Sequence, residues 1–215
     1  MLLMQMPLVG WNTDNTFDLP GGLVTIGKRS VGGHKLMFPA LEGKGGSTLR
    51  FFIEPVVGGI NYFIKQKPEY RDICMVGFSG GGWTTHLAAA LDLRISLSIP
   101  VAGAYPLYLR DHYRGSKGDA EQILPALYED QASWLDLYIL SGYGEGRRQI
   151  QLLNQFDTCC FFGLGSKTYE AVVSDAVKKL GAGQWECVID SSHKSHKISR
   201  WAIENVIDPA LGLDG

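Results

Sequence analysis

The strongest chemical signal in the sequence is one serine set between glycines. Residues 77–81 read Gly-Phe-Ser-Gly-Gly, with the apolar run 72–78 (DICMVGF) before the serine and the helix-forming run 83–91 (WTTHLAAAL) after it. A strand, a sharp turn and a helix are the setting in which a G-x-S-x-G pattern presents a nucleophile. We expect small residues two positions before and two positions after the serine, at Gly77 and Gly81, because a side chain there would collide with the neighbouring strand or helix. A phosphate-binding turn would need a lysine after the glycines. We therefore predict that Ser79 is a nucleophile and that the backbone amide of Gly80 helps to hold an oxyanion.

A serine hydroxyl is a weak nucleophile until a neighbouring base removes its proton. In proteins with this strand–serine–helix turn, the acid and then the histidine follow the serine along the chain. Two histidines lie beyond the last predicted strand, His193 and His196. We favour His196 because it directly precedes the terminal helix, and we keep His193 as the alternative.

The orienting acid is expected at the end of a strand that follows the serine. Asp157 ends the predicted strand 149–156 (QIQLLNQF), and one helix and one strand fit between it and the late histidines. Glu145 is the alternative, although its glycine-rich surroundings indicate a solvated turn. Asp190 is interpreted as a structural loop residue. Asp157 is therefore the favoured acid.

Two further segments carry weaker signals. The loop 7–12 is expected to emerge at the same edge of the sheet, where the backbone amide of Leu8 or Val9 would be a second oxyanion donor. Cys159 and Cys160 follow the proposed acid in an apolar CCFF context, and we predict that they are packing residues.

Strands and helices alternate along the chain, which favours a mainly parallel sheet with helices on both faces, an α/β fold. Residues 1–215 are predicted to form a single domain with a cap-like excursion at about 105–146. The aromatic residues of that excursion are interpreted as structural in preference to pocket-lining. They are Tyr105, Tyr108, Trp134 and Tyr143. Besides the elements named above, we predict strands at 1–8, 23–26, 94–104 and 185–189, and helices at 35–41, 47–66, 119–128, 133–140, 167–180 and 198–206.

Composition excludes several classes of protein. The chain has 215 residues, 45% hydrophobic and 20% charged, with a formal net charge of −2. It lacks the basic excess of a nucleic-acid-binding protein, an apolar run long enough to span a membrane, and a signal peptide. We expect a soluble, cytoplasmic protein, and the sequence does not indicate its oligomeric state. Four cysteines without a C-x-x-C pair argue against a disulfide scaffold or a zinc site.

The motifs resemble those of the α/β-hydrolase superfamily, and within it the dienelactone-hydrolase and prolyl-oligopeptidase-like esterases. The resemblance is carried by GFSGG, by QFD at the predicted strand end and by SHKSHKIS before the last helix. The stretch QMPLVGWN resembles the dienelactone-hydrolase loop, with Met6 where that family has glutamate, and this match implies that Leu8 supplies an oxyanion amide. Dienelactone hydrolases have a cysteine where this chain has Ser79. The two strands that usually open the fold are missing, which implies a trimmed sheet or a partial chain.

The resemblance implies acyl transfer through a Ser79–His196–Asp157 triad, with no metal or organic cofactor. The leading hypothesis is a serine carboxylesterase that acts on a small-molecule ester. An aminopeptidase or amidase on the same triad is the second hypothesis. A noncatalytic binding protein with the same fold is the third.

Overall fold

The computed structural model describes residues 1–9, 12, 16–26, 33–43, 46–70, 72–110 and 118–213. The chain divides into two compact units. The first unit comprises Met1–Glu69 and Asp119–Leu124, and the second comprises Tyr70–Gly118 and Pro125–Gly215. Among the described residues, we find no helix that combines the length and the apolar character needed to cross a membrane.

The first unit consists of a hairpin and two helices. The hairpin pairs β1 (Thr16–Leu19) with β2 (Gly22–Thr25) in antiparallel register, and the helices are α1 (Gly33–Leu41) and α2 (Arg50–Gln66). A 3-10 turn at Ala120–Gln122 belongs to this unit and lies against α1. The predicted strand at 1–8 is wrong, because these residues are not in a strand and Met1–Leu3 are exposed.

The second unit contains a four-stranded parallel sheet in the order β3-β4-β5-β6. Each strand is connected to the next through helical segments, as parallel neighbours require. The strands are β3 (Ile73–Phe78), β4 (Ile95–Val101), β5 (Arg148–Asn154) and β6 (Gln184–Asp190). The helices are α3 (Gly80–Leu91), α4 (Leu107–Arg110), α5 (Pro125–Tyr128), α6 (Trp134–Gly142), α7 (Glu170–Lys179), α8 (Arg200–Ala202) and α9 (Asp208–Leu211), with a 3-10 turn at Gly165–Thr168 and a π-helical turn at Ile203–Ile207.

Helices cover both faces of the sheet, which confirms the predicted fold class. Alternate residues of β4 and β5 face an apolar core that they share with the C-terminal helical segment; its buried members are Leu97, Ile99, Val101, Ile150, Leu152, Ala202, Val206 and Ile207. Three further helices lie against the sheet: α3 against β3 and β4, α6 against β5 and β6, and α7 against β6. Because residues i and i+2 of a strand share a face, both faces of the central strands are buried.

The face towards α3 contains buried polar groups that are hydrogen-bonded to one another. Gln149 Oε1 lies 3.0 Å from His86 Nδ1 and accepts a hydrogen bond of 3.0 Å from Trp185 Nε1. Burial lowers the pKa of His86 to about 3, so this ring is neutral. The network therefore packs α3 onto the sheet without burying a charge at His86.

Part of the predicted excursion packs against α3. Tyr128 and Trp134 are buried with their rings stacked at 4.7 Å, and the Trp83 indole of α3 donates a hydrogen bond of 2.7 Å to the Tyr128 hydroxyl. Tyr105 is fully buried as well, whereas Tyr108 and Tyr143 are exposed. The structural interpretation therefore holds for Trp134 and Tyr105. The stretch 111–117 lies outside the described residues, and a cap role for the excursion stays a prediction.

Candidate active site

Ser79 occupies a sharp turn between β3 and α3. Its backbone has φ 56° and ψ −121°, a conformation that non-glycine residues rarely adopt. The turn is held on both sides, because the Ser79 amide donates to the Val101 carbonyl at 2.8 Å and the Ser79 carbonyl accepts from the Trp83 amide at 3.0 Å. Strained backbone that the surroundings hold in place is found mainly at functional sites. The side chain is half-buried rather than enclosed in the core.

Glycine is required on the strand side of this turn but not at every predicted position. A Cβ atom at Gly77 would lie 2.1 Å from the Gly81 carbonyl oxygen, so a side chain is excluded there, as predicted. At Gly81 a Cβ atom would meet nothing within 4 Å, so the predicted collision at that position is wrong. The close approach occurs one residue later. A Cβ atom at Gly82 would lie 2.7 Å from the Val101 carbonyl oxygen, and one at Gly103 would lie 2.5 Å from the Gly82 carbonyl carbon.

The structure brings together the serine, histidine and aspartate favoured by the sequence. His196 Nε2 lies 2.8 Å from Ser79 Oγ, and His196 Nδ1 lies 2.8 Å from Asp157 Oδ2. The imidazole also lies against the Phe78 ring, with 4.6 Å between centroids. A chain of two hydrogen bonds thus joins the serine hydroxyl to the carboxylate through the imidazole ring. The His196 side chain keeps 21% of its surface exposed.

Asp157 is buried and accepts several hydrogen bonds. Its Oδ1 accepts from the backbone amides of Cys159 at 2.7 Å and Cys160 at 3.2 Å, while Oδ2 faces His196. Burial alone would raise the pKa of Asp157, but the hydrogen bonds from His196 and these amides outweigh it, so the pKa lies below its usual range. Asp157 is therefore ionised at neutral pH and orients the imidazole.

Asn154 is a site residue that sequence reasoning missed. It is the last residue of β5 and is fully buried; its Nδ2 donates to Asp157 Oδ2 at 3.1 Å and to the Lys197 carbonyl at 3.0 Å. One amide group thus ties the carboxylate to the segment that carries His196. The sequence signal was weak, because Asn154 is one of several polar residues in this strand, together with Gln149 and Gln151.

The alternative residues lie elsewhere. His193 Nε2 lies 3.3 Å from Asp190 Oδ2, and its Nδ1 accepts the Ser195 amide at 3.1 Å, so both ring nitrogens face groups other than Ser79. Asp190 is the last residue of β6, so its interpretation as a loop residue is wrong, although the hydrogen bond that it accepts from Ser199 agrees with a structural role. Glu145 is exposed and precedes β5, at the amino end of the strand, whereas Asp157 follows its carboxyl end. The choice of Glu145 would therefore have been wrong.

The two predicted oxyanion donors belong to different units. Gly80 is the first residue of α3, where backbone amides have no partner within the helix. Leu8 lies in the first unit, is buried and has φ 60°. Gly10 and Trp11 of the same loop lie outside the described residues. The oxyanion roles of Gly80 and Leu8 stay predictions.

Cys159 and Cys160 do not pack in the core. They form a disulfide with each other, with Cys159 exposed and Cys160 half-buried. Their sulfur atoms and a ring nitrogen of His196 all lie within 4.8 Å of one another. The prediction that these cysteines are packing residues is wrong, since the turn that they form wraps around the Asp157 carboxylate instead.

Comparison with known proteins identifies the fold of the chain. No protein-family model and no curated protein match the chain. Acetyl xylan esterase from Paenibacillus sp. R4 superposes with a TM-score of 0.51 and 16% identity, over 78% of this chain and 54% of that chain. The chain has the α/β-hydrolase fold.

Other solved structures match less well. Est1E from Butyrivibrio proteoclasticus gives a TM-score of 0.49 and 16% identity, over 77% of this chain and 69% of that one. Acylaminoacyl peptidase from Pyrococcus horikoshii gives 0.48 and 17%, over 70% of this chain and 24% of that one. The chain thus spans a quarter to about two thirds of the length of these α/β-hydrolase-fold neighbours.

Proposed function

We propose that this protein is a serine hydrolase that cleaves a carboxylic ester through an acyl-enzyme intermediate. One observation carries the proposal: Ser79 Oγ, the His196 ring and the Asp157 carboxylate form a continuous hydrogen-bonded chain with 2.8 Å at each of its two steps. The serine at its end stands on a strained strand-to-helix turn and is half-buried. The carboxylesterase assignment is in keeping with the esterase name of the Paenibacillus structure.

In the first step, Ser79 Oγ attacks the carbonyl carbon of the ester and its proton passes to His196 Nε2. The imidazolium gives that proton to the departing alkoxide, which leaves the acyl group on Ser79. Asp157 accepts a hydrogen bond from the Nδ1–H group throughout, which fixes the tautomer and stabilises the positive ring. The Gly80 amide holds the negative oxygen of the tetrahedral intermediate.

In the second step, water attacks the acyl group while His196 takes one of its protons, and the carboxylic acid is released as Ser79 regains a proton. The exposed fraction of the His196 side chain is consistent with access for water. In each half of the reaction, the imidazole therefore acts first as a base and then as an acid.

The test combines covalent labelling with turnover. The wild-type chain is incubated with a fluorophosphonate probe and, separately, with short-chain aryl esters and aminoacyl amides. We expect the probe on Ser79 in peptide mapping, ester hydrolysis, and loss of both in Ser79→Ala. Ser195→Ala is the matched control, because it removes an exposed serine hydroxyl beside His196, and it should keep both signals.

Amide turnover without ester turnover would replace the esterase with an amidase on the same residues. Absence of both labelling and turnover from a folded wild-type protein would reject the hydrolase and leave the noncatalytic interpretation.

A further inference from the structure

The disulfide-bonded pair of cysteines lies beside the catalytic histidine. Cys159 Sγ, Cys160 Sγ and a ring nitrogen of His196 form a group in which every pair of atoms is within 4.8 Å. Cys159 is exposed and Cys160 is half-buried, so both reductants and ions have access to the group. The esterase mechanism uses His196 but neither cysteine. The proposed function therefore assigns no role to these two sulfur atoms.

We propose that reduction of the Cys159–Cys160 disulfide creates an inhibitory zinc site made of the two thiolates and His196. Two thiolates and one imidazole are a ligand set that Zn²⁺ favours, with a fourth position left for water. At a Zn–S distance of about 2.3 Å, tetrahedral sulfur ligands stand about 3.8 Å apart. In the oxidised chain the two sulfurs are bonded to each other, and reduction leaves them free to separate to that distance beside a His196 ring nitrogen that lies within 4.8 Å of both.

The surrounding backbone positions this dithiol in advance. The amides of both cysteines donate to Asp157 Oδ1, and Asp157 in turn is held by Asn154. The two hydrogen bonds to Oδ1 are donated by main-chain amides rather than by the cysteine side chains. The same aspartate thus holds the backbone of the two cysteines and orients the His196 ring.

Reduction of the disulfide by a phosphine is a balanced reaction. A water-soluble trialkylphosphine and one water molecule convert the disulfide into two thiols, and the phosphine becomes its oxide. Zn²⁺ then displaces the two thiol protons and accepts the lone pair of one His196 nitrogen. That nitrogen is either Nδ1, which faces Asp157, or Nε2, which faces Ser79. In either case zinc replaces one of the two hydrogen bonds that the ring makes to Asp157 and Ser79, so zinc inhibits hydrolysis. In the oxidised protein the sulfurs are not thiolates, and the site does not form.

The inhibition part rests on the proposed function, so the first readout avoids activity. Oxidised and phosphine-reduced wild-type protein are titrated with Co²⁺, followed by its thiolate charge-transfer absorption, and then with Zn²⁺ in competition. We expect the band only in the reduced protein. Loss of a ligand in Cys159→Ser, Cys160→Ser or His196→Ala should weaken zinc binding by at least the roughly 10- to 100-fold that loss of an outer partner costs.

Cys74→Ser is the matched control, because Cys74 is also a free and exposed thiol but lies on β3 outside the group. It should retain the band and the affinity. A band of equal strength in the reduced Cys159→Ser/Cys160→Ser double variant, or no band in the reduced wild type, would overturn the zinc site.

Ester hydrolysis supplies the second readout. Zinc should inhibit the reduced wild type at concentrations that leave the oxidised wild type and the reduced double serine variant active. Equal inhibition of all three would overturn the inhibitory role. If no form hydrolyses esters while the cobalt band still depends on both cysteines, the proposed function fails and the metal site stands.

Discussion

Two of the histidine–carboxylate pairs, one chosen from each unit, show how the same kinds of group can serve different purposes. In the second unit, His196 pairs with Asp157 at 2.8 Å, and its other nitrogen faces the Ser79 hydroxyl. In the first unit, His34 pairs with Glu121 at 3.0 Å, and its other nitrogen lies 2.8 Å from the Pro7 carbonyl oxygen. The His34 side chain is 9% exposed, against 21% for His196.

The third partner decides what each ring can do. A carbonyl oxygen only accepts hydrogen bonds, so His34 must donate from both nitrogens to satisfy Pro7 and Glu121, which favours the charged ring. Burial lowers the pKa of His34, but the hydrogen bond to Glu121 and the charges of Glu121 and Asp119 outweigh it, so its pKa is raised. A hydroxyl can donate as well as accept, so the Ser79 hydroxyl can donate its proton to His196 Nε2. A paired histidine is therefore a base only where its free nitrogen meets a donor.

The largest expected difference comes from removing each ring. His196→Ala should lower kcat by about 10²- to 10⁴-fold, because it removes the general base, and should change the free energy of unfolding little. His34→Ala should lower the free energy of unfolding by about 1–3 kcal/mol, because the Glu121 carboxylate loses a buried partner, with a much smaller fall in kcat. Ester kinetics and urea unfolding of both variants measure these effects. The opposite ranking in either assay would contradict the division of roles.

A smaller effect should follow from loosening the catalytic pair. Asn154→Leu removes the amide that joins Asp157 to the Lys197 carbonyl. We expect kcat to fall about tenfold with little change in KM, since a hydrogen bond to a charged group contributes about 1.5–3 kcal/mol. Asn205→Leu is the matched control, because Asn205 is an exposed amide that only donates to the Trp201 carbonyl. A rise in KM at constant kcat would indicate that Asn154 acts on substrate binding instead.

The favoured triad could be predicted because its signals are local. The glycines around Ser79 and the end of β5 before Asp157 are visible in short stretches of sequence, and buried parallel strands have strongly apolar runs. Long-range approaches leave no such mark. The need for glycine at Gly82 and Gly103 arises from contact between α3 and the end of β4, which requires knowledge of the packing.

Apolar composition alone was misleading at two places. The run MLLMQMPL suggested a buried strand, but its first three residues are exposed, because apolar residues form a strand only where a neighbouring edge accepts them. The CCFF context suggested packing for Cys159 and Cys160, but the backbone there turns to give its amides to Asp157, which leaves the sulfurs outside the core. Hairpin β1–β2 was only half predicted, since only its second strand has an apolar run.

The smallest predicted effect is the pH dependence of stability that His34 contributes. Its pKa in the folded chain is raised above the ordinary value of about 6.5, so the folded state holds this proton more tightly than the unfolded state does. The stabilisation is therefore complete below the unfolded pKa and is lost as pH rises through the higher folded pKa. Urea unfolding of wild type and His34→Gln across this range should show a difference in free energy of unfolding that shrinks with increasing pH. His86, whose pKa is lowered, is present in both proteins, so its opposite contribution cancels in the comparison. A difference that stays constant with pH would mean that His34 is held as a neutral ring, and the contrast with His196 would then rest on exposure alone.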